Sequence, residues 1–472
     1  MATFLAELAW CGLAPGAGVA RDVLVESRPD GAVSALRAGR EAGGVQEGTR
    51  LEGITVPGFV NAHSHAFHRA LRSVSEPLSG DFWSWRQLMY GVAARLTPDS
   101  YRELATCVYG EMLLAGYTTV GEFHYLHNDQ DGRRFGDPNE MGWALVDAAG
   151  EAGIRLTLID ACYLQAGMGG ESLEGAQVRF GDGSGEAWSA RVSRLADSGR
   201  FANGDPDDPG PLDRPRLAVA IHSVRAVPEP AMGTVAGLAA ANEWPLHVHL
   251  SEQRAENDAC LKATGRTPTD LLGAAGAWSK RATAVHATHL SPGDVSRLGL
   301  SEVSICACPT TERDLGDGVG LFVELAEAGC RLCVGSDSHA VIDPFEETRS
   351  LELNQRLTHE RRVLSPPSAL LVAGTAGGAA ALGWPAAGIA PGGLADLVSV
   401  RTDSVRLAGR DLDGSGADEI AARIVFAAGA ADVDTVVVGG SVVAEGGEHV
   451  RLGPPRALAE RLSRAVEAVL GD

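Results

Sequence analysis

Positive charge is what this chain has least of. Its 472 residues carry 40 Lys and Arg against 61 Asp and Glu, a formal net charge of −21. Only two of the basic residues, Lys262 and Lys280, are lysines. Nucleic-acid binding needs clustered cations that displace counterions, so that class of partner is excluded. Eight cysteines in so long a chain do not make a secreted disulfide framework. No run approaches the ~20 apolar residues of a membrane span. The stretch from Met1 to Gly16 has an apolar patch but no basic segment before it, so it is not read as a signal peptide. A soluble cytoplasmic protein is the expectation. Internal repeats and low-complexity tracts are missing as well.

What is present suffices for a sizeable core: 45% of residues are hydrophobic and 21% charged. At about 150 residues per domain the length suggests three domains, although one α/β barrel absorbs about 250. The first fifty or so residues read as short strands broken by Gly and Pro. From Gly58 the pattern changes to short apolar runs alternating with helix-length amphipathic segments, the sign of βα units around a parallel sheet. Eight runs are counted: residues 58–65, 117–125, 154–163, 216–223, 245–252, 282–289, 302–309 and 331–339. They predict a (β/α)8 TIM barrel. Residues 167–215, rich in Gly, Asp and Pro, read as a surface excursion or active-site loop. After Pro391 the strand-rich style of the N-terminus returns. A small composite β-sandwich domain built from both ends is therefore expected, with boundaries at 1–56, 57–388 and 389–472. The last segment, PPRALAERLSRAVEAVL, reads as a helix with Pro at its start.

Metal-capable residues recur at the C-terminal ends of those runs, the ends that line the catalytic face of a barrel. His63 and His65 close the first run. Two apart on a strand, they point the same way. His247 and His249 close the fifth run, His286 the sixth, and Asp337 with His339 the eighth. An HxH pair alone is more often core or surface histidine than ligand. The joint placement predicts one zinc held by His63, His65, His249 and Asp337, with a position left for water. His247 would face the same side as His249 but one pleat deeper, so His249 is preferred. His124, His127, His289, His339, His359 and His449 are read as non-ligands. Cys306 with Cys308 and Cys330 with Cys333 could be forced into a four-thiolate site, but they sit in apolar strand patterns where Cys acts as a small buried hydrophobe. Glu252, three residues past His249, is placed to move protons between nucleophile and leaving group. His286 is placed to hydrogen-bond the attacking oxygen, and Asp337 to accept a proton from the water. Metal-assisted hydrolysis is the predicted chemistry.

This arrangement resembles the amidohydrolase superfamily, as does GIAPGGLADLVSV (388–400), which looks like its return from barrel to β domain. Neither lysine ends a barrel run, which makes the chain similar to the mononuclear deaminase branch. Finer motifs, among them NAHSHAFHRAL (61–71), DFWSWRQLMY (81–90), TTVGEFHYLH (118–127), AIHSVRAV (220–227) and HVHLSEQ (247–253), resemble those of formimidoylglutamate deiminases of histidine degradation. The resemblance implies hydrolysis of N-formimidoyl-L-glutamate to N-formyl-L-glutamate and ammonia, and a homodimer. It also implies substrate contacts at His68, Arg86, Tyr125, His222 and Arg225. A small anionic substrate would be repelled by the overall charge, so Arg86 and Arg225 are expected to capture its carboxylates locally. His68 departs from the family pattern, which carries glutamine there, and imidazole replaces an amide only in part. Three rivals stand beside this reading. They are a deaminase of another amidine or aminated heterocycle such as a guanine or triazine, a catalytically silent barrel scaffold, and a binuclear amide or lactam hydrolase.

Overall fold

Apolar runs bounded by Gly and Pro become strands, and their pairing sorts the chain into two eight-stranded sheets. The computed structural model describes residues 2–12, 18–39, 48–74, 82–202, 210–385, 388–409, 412 and 414–471, with backbone alone at 82 and 83. The N-terminal strands are β1 (Thr3–Trp10), β2 (Val19–Ser27), β3 (Val33–Ala38) and β4 (Thr49–Pro57). The barrel strands follow as β5 (Phe59–Ser64), β6 (Tyr117–His124), β7 (Arg155–Cys162), β8 (Arg216–Ile221), β9 (Leu246–Leu250), β10 (Ala282–His286), β11 (Ser304–Ala307) and β12 (Arg331–Val334). They pair in sequential order, each parallel to the next. From β6 to β10 every strand residue is buried, as befits parallel strands covered by helices on one face and closed on the other. This is the (β/α)8 barrel that the alternation of runs predicted.

The chain then returns to the N-terminal strands through β13 (Leu397–Val400), β14 (Val433–Val438), β15 (Ser441–Glu445) and β16 (Glu448–His449). β4 joins the two ends: it pairs parallel with β1 and antiparallel with β13. This second sheet encloses a core of its own, with Phe4, Val23, Val25, Leu397 and Val437. One residue, Gly58, separates β4 from β5, so the composite β domain leads straight into the strand that carries His63 and His65. A buried bidentate pair bolts barrel to β domain: Arg155 Nε donates to Asp396 Oδ2 at 2.7 Å and Nη2 to Oδ1 at 3.0 Å. Among the described residues no helix is long and apolar enough to cross a membrane. The terminal helix Pro455–Leu470 starts with Pro in its first turn. β3 and the helix Ala417–Ala427 are additions to the sequence reading; β3 is half exposed and so lacks a clear apolar alternation.

Several strands end before the runs that predicted them, β9 at Leu250, β10 at His286 and β12 at Val334. Ser251, His286 and Asp337 take φ of 52°, 65° and 40°, a left-handed conformation that breaks extended pairing. β12 ends at Val334, so Asp337 and His339 lie on the loop beyond it. The barrel seam closes there, by one parallel bridge between Ser64 and Asp337. His65 N donates to Asp337 O at 3.2 Å and Asp337 N to His63 O at 3.0 Å.

The excursion at 167–215 is packed rather than loose where it is described; residues 203–209 lie outside the described residues. It contains a 3-10 turn, Gly175–Arg179, and a helix, Gly185–Ala196, capped by Ser184. Arg191 on that helix donates to Asp160 at 2.7 and 2.8 Å and to Asp182 at 2.9 Å, all buried.

Gly335 fits the seam because it has no side chain. A Cβ there would lie 2.8 Å from His63 Cβ and 2.8 Å from His63 O, and the strand it would collide with cannot yield. Gly335→Ala is expected to cost about 1–3 kcal/mol, read as a lower urea midpoint; an unchanged midpoint would show that the seam tolerates the methyl group.

Candidate active site

Alternation along β5 puts His63 and His65 on one side, and the seam brings Asp337 against them. His249 arrives from β9. One ligand atom from each of His63, His65, His249 and Asp337 lies within 4.8 Å of the others. His63 Nε2 and His249 Nε2 are 3.0 Å apart, and Asp337 Oδ1 is 3.5 Å from His63 Nε2 and 3.4 Å from His65 Nε2. Two of the rings have their tautomer set by a carbonyl, which only accepts. His65 Nδ1 donates to Phe123 O at 3.0 Å and His249 Nδ1 to His222 O at 2.9 Å, so each Nε2 keeps its lone pair. Burial lowers the pKa of all three imidazoles, which leaves them neutral. Burial alone would raise Asp337, but His63, His286 and His65 hold it well below the usual carboxylate range. Four acceptors converging in a buried space fit a divalent cation of borderline softness.

His247 lies one pleat deeper and donates to Ala381 O at 3.1 Å. His124 and His127 cluster with Asp160, but that carboxylate already takes Arg191 and the Trp188 indole at 3.0 Å. Cys306, Cys308 and Cys333 pack with Ala62, Val285 and Ala381, whereas Cys330 joins a different apolar cluster.

Beside the four ligand candidates stands an acid–imidazole array. His286 Nε2 is 3.7 Å from Asp337 Oδ2 and 3.7 Å from Glu252 Oε1, while Nδ1 is 3.4 Å from Glu312 Oε1. Burial works against a charged ring here, yet Glu252, Glu312 and Asp337 outweigh it and shift the His286 pKa upward. Burial pushes Glu252 up, opposed by His286. Sequence reading missed Glu312, whose other tie is to Cys308 N at 2.8 Å. It also missed Asp317, which groups with Glu252 and His286. Both lie past the end of β11, where no spacing rule links them to β10.

A cleft opens over these groups. His68, Arg86, Tyr125, His222 and Arg225 all line it. His68 Nε2 pairs with Tyr125 Oη at 3.0 Å, and its Nδ1 is buried with no partner. Arg86 Nη2 donates to Tyr163 Oη at 3.3 Å and its guanidinium lies over the Tyr90 ring. Arg225 Nη1 reaches Glu256 Oε2 at 3.4 Å, and its Nε is buried without a partner. Asp81, at the start of the DFWSWRQLMY motif, lies outside the described residues. Tyr163, Phe180 and Glu256 are further cleft residues that the sequence reading did not name. Tyr163 was findable, since it ends the third apolar run.

An Amidohydrolase family model matches residues 54–443. The chain belongs to the amidohydrolase family. This amidohydrolase is 37% identical over 467 residues to a formimidoylglutamate deiminase of Pseudomonas aeruginosa, covering 96% of each chain. It is 29% identical to a 5-methylthioadenosine/S-adenosylhomocysteine deaminase of Pelotomaculum thermopropionicum over 96% of this chain and 95% of the other. A crystal structure of an amidohydrolase from Brucella melitensis superposes with a TM-score of 0.86 at 29% identity, covering 100% of both chains.

His249→Ala removes one of the four converging ligand groups while leaving the strand intact. Zinc affinity of this amidohydrolase is expected to fall by at least ~100-fold, beyond the loss typical of an outer-shell change. Metal analysis after dialysis reads the effect, with circular dichroism confirming the fold; undiminished zinc would remove His249 from the ligand set.

Proposed function

We propose that this amidohydrolase hydrolyses the formimidoyl group of N-formimidoyl-L-glutamate, giving N-formyl-L-glutamate and ammonia. The observation that carries this reading is the pairing, in one cleft, of a metal-capable floor with two arginines, Arg86 and Arg225. A substrate that ends in an electrophilic amidine and carries two carboxylates matches both features. The 37% identity to a formimidoylglutamate deiminase over nearly the full length supports the same substrate.

His63, His65, His249 and Asp337 would hold one zinc ion per chain. Bound there, zinc supplies Lewis acidity and makes water a nucleophile near neutral pH. Both lysines sit away from the site, Lys262 in the helix Arg254–Thr264 and Lys280 before the start of β10, which favours one ion over a lysine-bridged pair.

The protein's own groups do the rest. Arg225, with a buried unpartnered Nε, and Arg86 take the carboxylates of the tail and fix the formimidoyl carbon over the floor. Tyr125, His222 and His68 border the bound chain. Asp337 takes a proton from the attacking water, and His286 Nε2 orients its oxygen. Glu252 carries a proton to the terminal nitrogen, which leaves as ammonia while the C–N bond to glutamate stays intact.

The purified enzyme should release ammonia and form formylglutamate; formamide plus glutamate would overturn the bond assignment. About one zinc per chain is expected, and two would overturn the mononuclear site. Arg225→Met should lower kcat/KM by about 2–4 kcal/mol, the loss of a charge-assisted pair in a desolvated cleft. An unchanged kcat/KM would take Arg225 out of the site.

A further inference from the structure

The excursion between β7 and β8 carries a feature that the catalytic reading leaves unused. Gln177, on its 3-10 turn, sends its amide nitrogen to two phenols, Tyr90 Oη at 3.1 Å and Tyr163 Oη at 3.0 Å. A side-chain amide has two N–H bonds, so both are engaged. Tyr163 Oη also receives Arg86 Nη2 at 3.3 Å. The Tyr163 oxygen therefore accepts from an amide and from a guanidinium, neither of which can accept in return, so its own O–H is the donor it offers, with the Tyr90 phenol as its neighbour and the cleft beyond. That phenol stands on the cleft wall, its ring 4.5 Å from His222 and 5.3 Å from Phe180.

The placement of Gln177 is enforced from below. Arg179, two residues on and fully buried, donates to the carbonyls of Ala93, Leu96 (2.8 Å) and Asn128 (3.1 Å). Ala93 belongs to the helix Phe82–Arg95, which also bears Arg86 and Tyr90. One buried guanidinium thus ties the excursion to the helix whose arginine faces the cleft.

The charge balance shows what Tyr163 adds. Glu256 faces Arg225 and Glu252 acts on the same guanidinium, so part of the positive charge is answered before any ligand arrives. An anionic tail with two carboxylates offers more acceptor sites than these arginines answer. A phenol polarised by a guanidinium and an amide is a strong neutral donor, and it adds no further charge to desolvate.

We propose that Tyr163 is a specificity-determining residue that donates its O–H to the side-chain carboxylate of the substrate's anionic tail, with Gln177 as its positioning residue. The proposal rests on the dicarboxylate reading of the cleft and extends it to the excursion, whose residues 175–180 become the wall that recognises the tail.

The test uses the zinc-loaded full chain, with glutarate binding by calorimetry and steady-state kinetics in parallel. Tyr163→Phe should weaken glutarate binding and raise KM for N-formimidoyl-L-glutamate by on the order of 10-fold or more. kcat should stay within about twofold, since the lost bond is equal in ground and transition states. With N-formimidoylglycine, which has one carboxylate, the change in KM should be smaller. Gln177→Leu should act in the same direction, and the double variant should cost no more than Tyr163→Phe alone, because Gln177 acts through Tyr163. Unchanged glutarate affinity in Tyr163→Phe overturns the proposal, as does an equal loss for both substrates or additive losses in the double variant. A wild type that binds glutarate but does not turn over formimidoylglutamate overturns the proposed reaction while the binding arm still decides the role of Tyr163. A wild type that binds no glutarate overturns the tail site itself.

Discussion

The barrel is closed at the place where its chemistry sits. Neighbouring barrel strands share ladders of hydrogen bonds, but the first and last segments meet through a single bridge, Ser64 with Asp337, and two backbone bonds that join Asp337 to His63 and His65. The peptide groups that complete the cylinder thus belong to the residues whose side chains converge on the candidate metal position. Relative motion across the seam would separate the Asp337 carboxylate from the two imidazoles. Gly335 allows the approach, and the side chains reinforce it. Asn61 Nδ2 donates to Ser336 Oγ at 2.6 Å, His339 reaches both Ser336 Oγ (2.9 Å) and Ser64 Oγ (3.2 Å), and Glu122 takes the Ser64 hydroxyl at 2.6 Å. His339 thus ties the two segments together without joining the ligand group.

Electrostatics divides the cleft into two ends. At the floor, burial keeps the imidazoles neutral, and carboxylates gather about His286. Toward the mouth, Arg86 and Arg225 stand among tyrosines, with Glu256 beside Arg225. A net charge of −21 is screened over about 8–10 Å in physiological salt, so these nearby guanidinium groups govern the field that a bound anion meets. A low-dielectric wall of Trp85, Phe180 and Tyr125 strengthens each of those interactions.

Much of this was legible along the chain. Apolar runs of strand length, spaced by amphipathic segments, mark a parallel barrel because each βα unit is local in sequence. Strand alternation put His63 and His65 on one side, and the end of a barrel strand is the catalytic face. Illegible were Glu312, Asp317 and Gln177, which lie on segments with no period to read. Their positions follow from contacts with segments far away in sequence, such as Gln177 with Tyr90 and Glu312 with His286. The strand ends were blurred for a related reason: the runs continue to the polar residues past Val334 and Leu250, whereas ladder pairing ends at those two residues.

The sequence by itself determined the barrel, its strand order and the set of side chains delivered to its C-terminal rim, because periodicity and local connectivity suffice for these. Pleat depth along the run already favoured His249 over His247; only the tertiary structure brought its Nε2 to 3.0 Å from His63 Nε2, because the two strands are far apart in sequence. It alone fixed which ring nitrogen of His65 and His249 carries the proton, because Phe123 O and His222 O come from neighbouring strands. And it alone turned the excursion into a wall of the cleft, by burying Arg179 against carbonyls more than 80 positions earlier in the chain.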